Sequence, residues 1–166
     1  LTLIGGFSYD SMRENRKGYQ NFIGAGADQQ LGVQGALRRD ETNTVYNADP
    51  YMQASWKVSE RWTVDAGLRY STVAFDSNDH YITAGNGDDS GDARYRKALP
   101  VAALRYAASP DVSVYASYGR GFETPTLNEI SYRPGGQPGL NFGLAPSLST
   151  NLEAGVKARM AGGLQI

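Results

Sequence analysis

The sequence contains no cysteine and a single histidine, His80. The missing thiols exclude disulfide scaffolds, thiolate metal sites and cysteine nucleophiles, and one imidazole excludes a multi-histidine metal site. No apolar run approaches the ~18 residues that a membrane-spanning helix needs. Sixteen Lys and Arg against 17 Asp and Glu give a net charge of −1. We therefore expect no nucleic-acid partner, since proteins that bind nucleic acids usually carry a strongly basic surface. We also expect that the protein is not an enzyme and that it binds no cofactor.

Glycine and tyrosine are frequent, at 20 and 11 of the 166 residues, and this composition favours an all-β fold over a helical bundle. Residues 61–70 alternate most clearly, with five apolar side chains on one face: Trp62, Val64, Ala66, Leu68 and Tyr70. Two-residue alternation is the pattern of a β-strand with one apolar face. The same pattern predicts an antiparallel meander of long strands at 1–10, 46–56, 61–70, 97–106, 111–119 and 150–158.

The connections between these strands alternate in length. Long loops without secondary structure are uncommon in compact soluble domains, whereas short turns at one end and long loops at the other are typical of outer-membrane barrels. The predicted short turns are 59–60, 108–110 and 161–163. The predicted long loops are 11–42, 77–94 and 122–147.

Aromatic residues mark both ends of the apolar face. Trp56 and Trp62 flank the turn at 59–60, which predicts one antiparallel hairpin of residues 44–58 and 61–75 with both indoles on the same face. The strand from Tyr46 to Trp56 would rise roughly 23 Å across a membrane if it were tilted as barrel strands are. That rise matches the apolar band of about 25 Å, edged by aromatic girdles, of a transmembrane barrel. The charged residues of the opposite face then line the lumen: Arg61, Asp65 and Arg69.

A soluble β-sandwich and a passive diffusion barrel stay open as alternatives at this point. Pro50 and Pro100 each remove a ladder hydrogen bond from a strand that is predicted to be central. They count against that prediction, since only a local bulge would accommodate them and the sequence shows no sign of one. A closed membrane barrel needs about eight strands or more, so the six predicted strands and the start of a seventh form a segment of one. We expect such a segment to self-associate through its edge strands.

Residues 111–130 carry the most specific motif of the chain. A strand with Tyr-Ala-Ser near its middle is followed by Gly-Phe, then Pro-Thr, then Leu-Asn-Glu-Ile. This motif resembles the barrel signature of TonB-dependent outer-membrane receptors. Its positions here include Tyr115, Gly121, Phe122, Pro125, Thr126, Asn128 and Glu129. Residues 62–70 and 141–157 are similar to two further strands of that family, except that Ser147 stands where the family usually has glutamate.

The resemblance implies that residues 1–166 are a partial barrel, a segment of a 22-stranded transmembrane β-barrel of the bacterial outer membrane. The plug domain and the TonB box of the family are absent from these residues. It further implies energy-coupled uptake of a scarce ligand, most commonly a ferric siderophore, through a plug and the TonB-ExbB-ExbD complex, with outer-membrane lipid around the barrel. The chain is most similar to YncD-type receptors, which implies pyrroloquinoline quinone uptake as the alternative.

The long loops carry the residues that we expect to contact the ligand. Guanidinium groups pair well with carboxylates, and aromatic side chains can form a binding rim. The basic residues, including those at 13–17, have anionic lipopolysaccharide as an alternative partner. The ligand candidates are Arg38, Arg39, Tyr19, Phe22, His80, Tyr81, Tyr132 and Arg133.

One acidic, glycine-rich loop is a weak calcium candidate, through Asp88, Asp89 and Asp92. Calcium takes oxygen ligands, but the EF-hand spacing is missing. A solvated acidic loop is the simpler interpretation, and we therefore predict no metal site.

Overall fold

The computed structural model describes residues 1–131, 133, 135 and 140–159. This part of the chain holds one short helix, α1 (Leu127–Ile130), and one 3-10 turn at Gly26–Asp28. None of its helices is long and apolar enough to cross a membrane. Its strands are β1 (Thr2–Tyr19), β2 (Phe22–Ile23), β3 (Gln30–Leu31), β4 (Leu37–Lys57), β5 (Trp62–Asp79), β6 (Gly91–Ala107), β7 (Val112–Glu123) and β8 (Ser147–Ala158).

Six of these strands form a single antiparallel sheet in the order β1-β4-β5-β6-β7-β8. The hairpin of β2 and β3 lies within the connection from β1 to β4. The predicted all-β antiparallel meander is therefore confirmed. The described residues contain no second large sheet that could face the first. A β-sandwich needs two packed sheets, so the sandwich alternative is wrong.

The sheet has a polar face and an apolar face, and the register of the strands fixes which residues lie on each. Side chains directly opposite in a ladder share a face, and the pairs Ser55↔Asp65 and Ala54↔Ala66 place odd and even residues of β4 and β5 on opposite sides. The polar face carries the odd residues of β4 to β8 and the even residues of β1. The apolar face exposes large side chains, among them Leu3, Phe7, Met52, Leu68, Leu152 and Val156.

The predicted tryptophan hairpin is confirmed. β4 and β5 pair from Glu41↔Asp79 to Lys57↔Thr63, and Trp56 lies opposite Val64. Trp62 is two residues from Val64 and therefore shares its face with Trp56, and its ring lies 4.6 Å from the ring of Tyr106. At the other end of the apolar face, the rings of Tyr9 and Tyr46 lie 6.4 Å apart. Aromatic rows thus border the apolar face at both ends.

The strands are longer than predicted at the end with long connections. The long connections are 20–36, 80–90 and 124–146, rather than 11–42, 77–94 and 122–147. The prediction failed there for two reasons. The added segments of β1 and β4 carry polar side chains on both faces, and in β5 and β6 the apolar side chains of Phe75, Ala93 and Tyr95 lie on the face that is polar elsewhere. The short turns at 58–61 and 108–111 agree with the prediction. The predicted turn at 161–163 and the start of a seventh strand lie outside the described residues.

Neither Pro50 nor Pro100 lies at a bulge in the described sheet. Pairing of β4 with β5 stops after Ala48↔Thr72 and resumes at Tyr51↔Arg69 in the same register, so no residue is inserted. Next to this gap the backbone amide of Thr72 donates to the Asp49 carboxylate at 3.2 Å. At Pro100 the ladder to β7 ends, since its last pair is Val101↔Gly119.

Face polarity leads to a testable expectation for the full-length protein. Ala66 lies in the middle of the apolar face, between Ala54 and Ala102. If that face meets lipid, Ala66→Arg should impair barrel assembly, because an arginine near mid-bilayer costs about 2–4 kcal/mol. Thr63→Arg on the polar face is the matched control and should do much less. Folding yields into lipid bilayers measure both, and equal yields would contradict the assignment.

Candidate functional site at the long-loop end of the sheet

The segment 124–146, between β7 and β8, begins with a tightly capped helix. The Thr126 amide donates to Oε2 of Glu129 at 2.7 Å, and the Glu129 amide donates to Oγ1 of Thr126 at 3.3 Å. This is a capping box, which satisfies two amides that a helix start leaves free. The hydrogen bond from the Thr126 amide holds the pKa of Glu129 below its usual value, and the hydrogen bond from the Thr126 hydroxyl makes a smaller contribution. Two residues of the sequence motif thus shape this segment.

Apolar contacts dock the segment on the polar face of the sheet. Ile130 is completely buried and Leu140 nearly so, and both pack against a cluster formed by Phe75, Ala93 and Tyr95. The Tyr95 hydroxyl donates to the Leu144 carbonyl at 2.8 Å. These contacts cover the polar face near the long-loop end, where the core of the described structure lies.

Phe142 adds a contact that only glycine permits. Its ring lies where a Cβ of Gly91, the first residue of β6, would be placed. The amide of Asn141 donates to the Ile130 carbonyl at 2.6 Å. The returning half of the segment is therefore held both to α1 and to the sheet.

A charged cluster lies beside this docked segment. Glu41 of β4 is buried, and its carboxylate meets Nη1 of Arg16 at 3.5 Å and Nε of Arg39 at 3.7 Å. Arg16 also donates to Oγ of Ser131 at 2.5 Å, and Asn43 donates to Glu41 at 3.2 Å. The buried carboxylate of Asp79 lies opposite Glu41 in the ladder, so two carboxylates balance the two guanidinium groups. Each guanidinium group has more N–H donors than one carboxylate uses, and the remaining donors can bind an anionic ligand.

A cavity of about 710 Å³ opens at the same end of the sheet, between the end of β7, α1 and the start of β8. Its volume is in the range of small-molecule sites. Charged and neutral groups share its wall, which consists of Glu123, Thr124, Pro125, Glu129, Arg133, Asn141, Leu144, Ala145 and Ser147.

The structure separates the two arginines that the sequence presents as neighbours. Arg39 joins the charged cluster on the polar face, whereas Arg38 is exposed at the position where the register of β1 with β4 shifts. Arg133 lines the cavity. Tyr132 lies outside the described residues. Of the predicted basic residues, Arg39, Arg133 and Arg16 of the stretch 13–17 thus lie at the candidate site.

The predicted aromatic rim is not assembled as a unit. Tyr19 ends β1 and is half-exposed, Phe22 lies in the β2–β3 hairpin, and Tyr81 lies in the 80–90 connection. No ring contact joins these three among the described residues. His80 lies away from the charged cluster, since its Nε2 is 3.1 Å from Oγ1 of Thr42, an apolar-face residue.

The acidic loop does not form a calcium site in the described part of the chain, where no three His, Cys, Asp or Glu side chains are placed to hold a metal ion. Asp88 accepts the amide of Ser90 at 2.9 Å. Through its side chain and its amide, Ser90 holds the pKa of Asp88 below its usual value. Asp89 donates its amide to Asp79, and Asp92 lies in β6 opposite Asp76.

The remaining motif residues have structural roles. Tyr115 places its ring over Gly155 on the neighbouring strand and donates to Glu153. Gly121 leaves room for the Ser149 side chain, and Phe122 packs against the docked apolar cluster. Asn128 lies within α1. The motif thus specifies a strand and the segment that folds back from it.

Sequence reasoning missed most of the site. Arg16 was contained in the basic stretch 13–17, but nothing local indicated its partner Glu41. Ser131, Tyr95 and Phe142 carry no local signal, because their contacts depend on how the 124–146 segment folds across the sheet. The one usable clue was Thr126 followed three residues later by Glu129, which is the sequence pattern of a capping box.

Docking of the segment can be tested with Ile130→Ala in the full-length protein. Removing this buried side chain costs about 2–5 kcal/mol. We expect the amides of Asn141 and Leu144 to exchange hydrogen about 30-fold faster or more. Ile82→Ala, at a half-exposed position in another long connection, is the matched control. Unchanged exchange in the Ile130 variant would mean that the segment does not depend on this contact.

Comparison with known proteins agrees with this geometry. The chain matches a family model described as TonB dependent receptor-like, beta-barrel, over residues 1–165. Its fold is similar to the crystal structure of the siderophore receptor PiuA from Acinetobacter baumannii, with a TM-score of 0.66 and 17% sequence identity. That match covers 97% of this chain and 27% of the receptor, so the chain spans about a quarter of its length. Members of the family are receptors and transporters rather than enzymes. With its meander of long strands and its family match over residues 1–165, the chain belongs to the TonB-dependent receptor β-barrel family.

Proposed function

We propose that this chain is a barrel segment of a receptor in the bacterial outer membrane that imports a scarce ligand. Members of the family in general lie in the Gram-negative outer membrane, bind a ligand and use TonB as a partner. The apolar face, bordered by aromatic rows, suits contact with outer-membrane lipid. The long connections mark the extracellular end by the same rule, because periplasmic turns are short. The proposed barrel has 22 strands, a number typical of plugged outer-membrane transporters.

The proposed ligand is an anionic ferric siderophore. The observation that carries this proposal is the charged cluster of Arg16, Arg39 and Glu41, which holds two guanidinium groups at the long-loop end of the polar face. The nearby cavity of about 710 Å³ is large enough for a small chelate. The neighbouring fold of PiuA belongs to a protein described as a siderophore receptor, which supports the same ligand class here.

The proposed mechanism needs no covalent step. Guanidinium groups of the cluster attract the anionic ligand as it enters from the long-loop end, and the docked 124–146 segment forms one wall of its path. Energy for passage through the lumen comes from the TonB-ExbB-ExbD complex acting on the plug of the full-length receptor. Asn43 and Asn47 on the polar face each hold a buried Oδ1 that accepts no hydrogen bond from the described residues.

Pyrroloquinoline quinone is the second candidate ligand. It bears several carboxylates, and the two guanidinium groups flanking Glu41 suit carboxylate recognition. The similarity to YncD-type receptors points the same way. A passive diffusion barrel is disfavoured, because the family to which the chain belongs consists of ligand-binding receptors.

The ligand site can be tested with Arg39→Gln in the full-length receptor. Loss of a charge-assisted hydrogen bond should weaken binding of an anionic ferric chelate about tenfold or more. Arg38→Gln removes the same charge from the adjacent residue, which lies outside the cluster, and should change affinity little. Tryptophan fluorescence quenching by ferric catecholate, ferric carboxylate and pyrroloquinoline quinone measures the affinity and identifies the ligand class.

Because Arg39 also pairs with buried Glu41, its removal leaves a carboxylate less well compensated. The double variant Arg39→Gln with Glu41→Gln restores charge balance and controls for misfolding. If the double variant assembles and still binds every probe as the wild type does, the cluster is not the ligand site.

Self-association of the isolated 166-residue chain is a further expectation. β1 and β8 are the end strands of the described sheet, and unpaired strand edges recruit other chains. The exposed apolar face is a second surface through which copies of the chain can associate. Light scattering on the purified chain should show oligomers or aggregates. A monodisperse monomer in plain buffer would mean that this chain has a soluble fold of its own and would contradict the barrel proposal.

A further inference from the structure

The sheet divides between β6 and β7 toward the long-loop end. The ladder that joins these strands ends at Val101↔Gly119, although β6 extends to Gly91 and β7 extends to Glu123. On the two sides of the division, β6 still pairs with β5 and β7 still pairs with β8. A gap therefore opens within the sheet, and β6 and β7 each have one edge that faces it.

Pro100 explains where the ladder ends. In an antiparallel strand, successive residues direct their N–H and C=O groups to opposite neighbours. The amide of Ala107 donates to the carbonyl of Arg61, just before β5, at 2.8 Å, so the odd residues of β6 face β5 and the even residues face β7. Pro100 is an even residue without an N–H group, and it would lie opposite Arg120 if the register continued.

The even residues beyond Pro100 have free backbone groups in the described part of the chain. All of them are exposed, and no ladder, turn or loop hydrogen bond from a described residue reaches them from the β7 side. The stretch that they occupy is about 20 Å long, so an extended peptide of roughly six residues would pair with all of it. We call these residues the free edge of β6: Asp92, Arg94, Arg96 and Ala98.

A small cavity of about 50 Å³ lies at the base of the gap. Residues of both faces line it, since Lys97 and Gly121 belong to the polar face and Leu148 belongs to the apolar face. The gap therefore passes through the sheet. Lys97 forms no ion pair with any described residue, so a positive charge is available at this point to an anionic ligand.

The gap adjoins the larger cavity of the candidate site. Gly121 lines the small cavity, and Glu123, the next polar-face residue of β7, lines the cavity of about 710 Å³. Leu144 also lines the larger cavity, and its carbonyl accepts the hydroxyl of Tyr95, which lies between two residues of the free edge. A ligand in the larger cavity thus lies next to the free edge.

We infer that the free edge of β6 binds the peptide backbone of the imported ligand as an added strand. This inference rests on the proposed function and narrows its ligand to an anionic ferric chelate built on an extended peptide. A peptide that adds to a sheet edge pairs its N–H and C=O groups with those of the edge, and these are the groups that the free edge leaves unpaired. A chelate without backbone amides cannot form these bonds.

A short peptide fits the gap better than a folded protein or an acyl chain does. The free edge lies inside the sheet, between β6 and β7, whereas the end strands of the sheet are β1 and β8. The edge strand of a folded partner would bring its own neighbouring strands into the space that β7 occupies. An acyl chain would leave the polar groups of the edge without hydrogen bonds, which is costly.

The ligand side of the test uses two probes and the full-length receptor. One probe is a ferric tris-catecholate carried on a linear peptide of about six residues, which matches the edge in length. The other has the same metal and charge, but methyl groups on its backbone nitrogens remove the donors and obstruct strand pairing. Since several hydrogen bonds are lost, the methylated probe should bind about tenfold or more weakly. Tryptophan fluorescence quenching measures both affinities.

The receptor side of the test is Ala98→Pro. Ala98 directs its N–H group toward the gap, so proline removes one donor of the free edge and leaves the ladder to β5 intact. Binding of the peptide probe should weaken about two- to tenfold, whereas binding of the methylated probe should not change. Ala98→Val keeps the N–H group and is the matched control, which should bind both probes as the wild type does.

Amide hydrogen exchange of the free edge completes the test. The amides of Arg94, Arg96 and Ala98 should exchange fast in the ligand-free receptor and slowly with the peptide probe bound. Slow exchange without ligand would mean that another segment already pairs with this edge and would overturn the inference. Equal affinity of the wild type for both probes would also overturn it, and the receptor proposal would stand. A receptor that binds no ferric chelate at all contradicts the proposed function, and this inference with it.

Discussion

Continuous pairing of the backbone across the sheet is the constraint on which the other features of this structure depend. Inside a bilayer an unpaired N–H or C=O group costs several kcal/mol, so a spanning sheet must pair its strands throughout the apolar zone. The ladders from β1 to β8 keep a constant register through that zone. Register in turn decides which side chains share a face, because a shift of one residue would exchange the two faces. The apolar band and the charged cluster both follow from it.

The pairing of the strands is interrupted at two prolines, Pro50 and Pro100. At Pro50 the ladder pauses, and the buried Asp49 carboxylate beside it accepts the amide of Thr72. At Pro100 the ladder to β7 stops, since proline has no amide hydrogen to donate. Beyond that point β6 continues without β7. The 124–146 segment covers the polar face there, through the ring of Phe142 and the bond from Tyr95. A break in pairing and the docking of this segment therefore occur at the same end of the sheet.

The sequence allowed the strand pattern to be predicted wherever one face is apolar and the other polar. Trp56, Trp62 and Ala66 obey that alternation, and their faces were predicted correctly. Prediction ended where the strands leave the apolar zone, as at Arg16 and Ser77, because two polar faces give no periodic signal. The site depends on contacts between residues far apart in the chain, such as Arg16 with Ser131. No local pattern encodes such a pair, so its discovery required the fold.

The two sets of arginines show how one residue type takes different roles on the two faces of a sheet. On the polar face, Arg16 and Arg39 share Glu41, which is almost fully buried. Pairing there offsets the cost of removing the carboxylate from water and holds the arginines in place, so an incoming anion meets preoriented donors. On the apolar face, Arg96 has no carboxylate among the described residues and stays exposed. Arg96 keeps its charge in water instead, as the head group of a long side chain can. The alternation of single residues along each strand is thus sufficient to separate the paired arginines from the solvated ones.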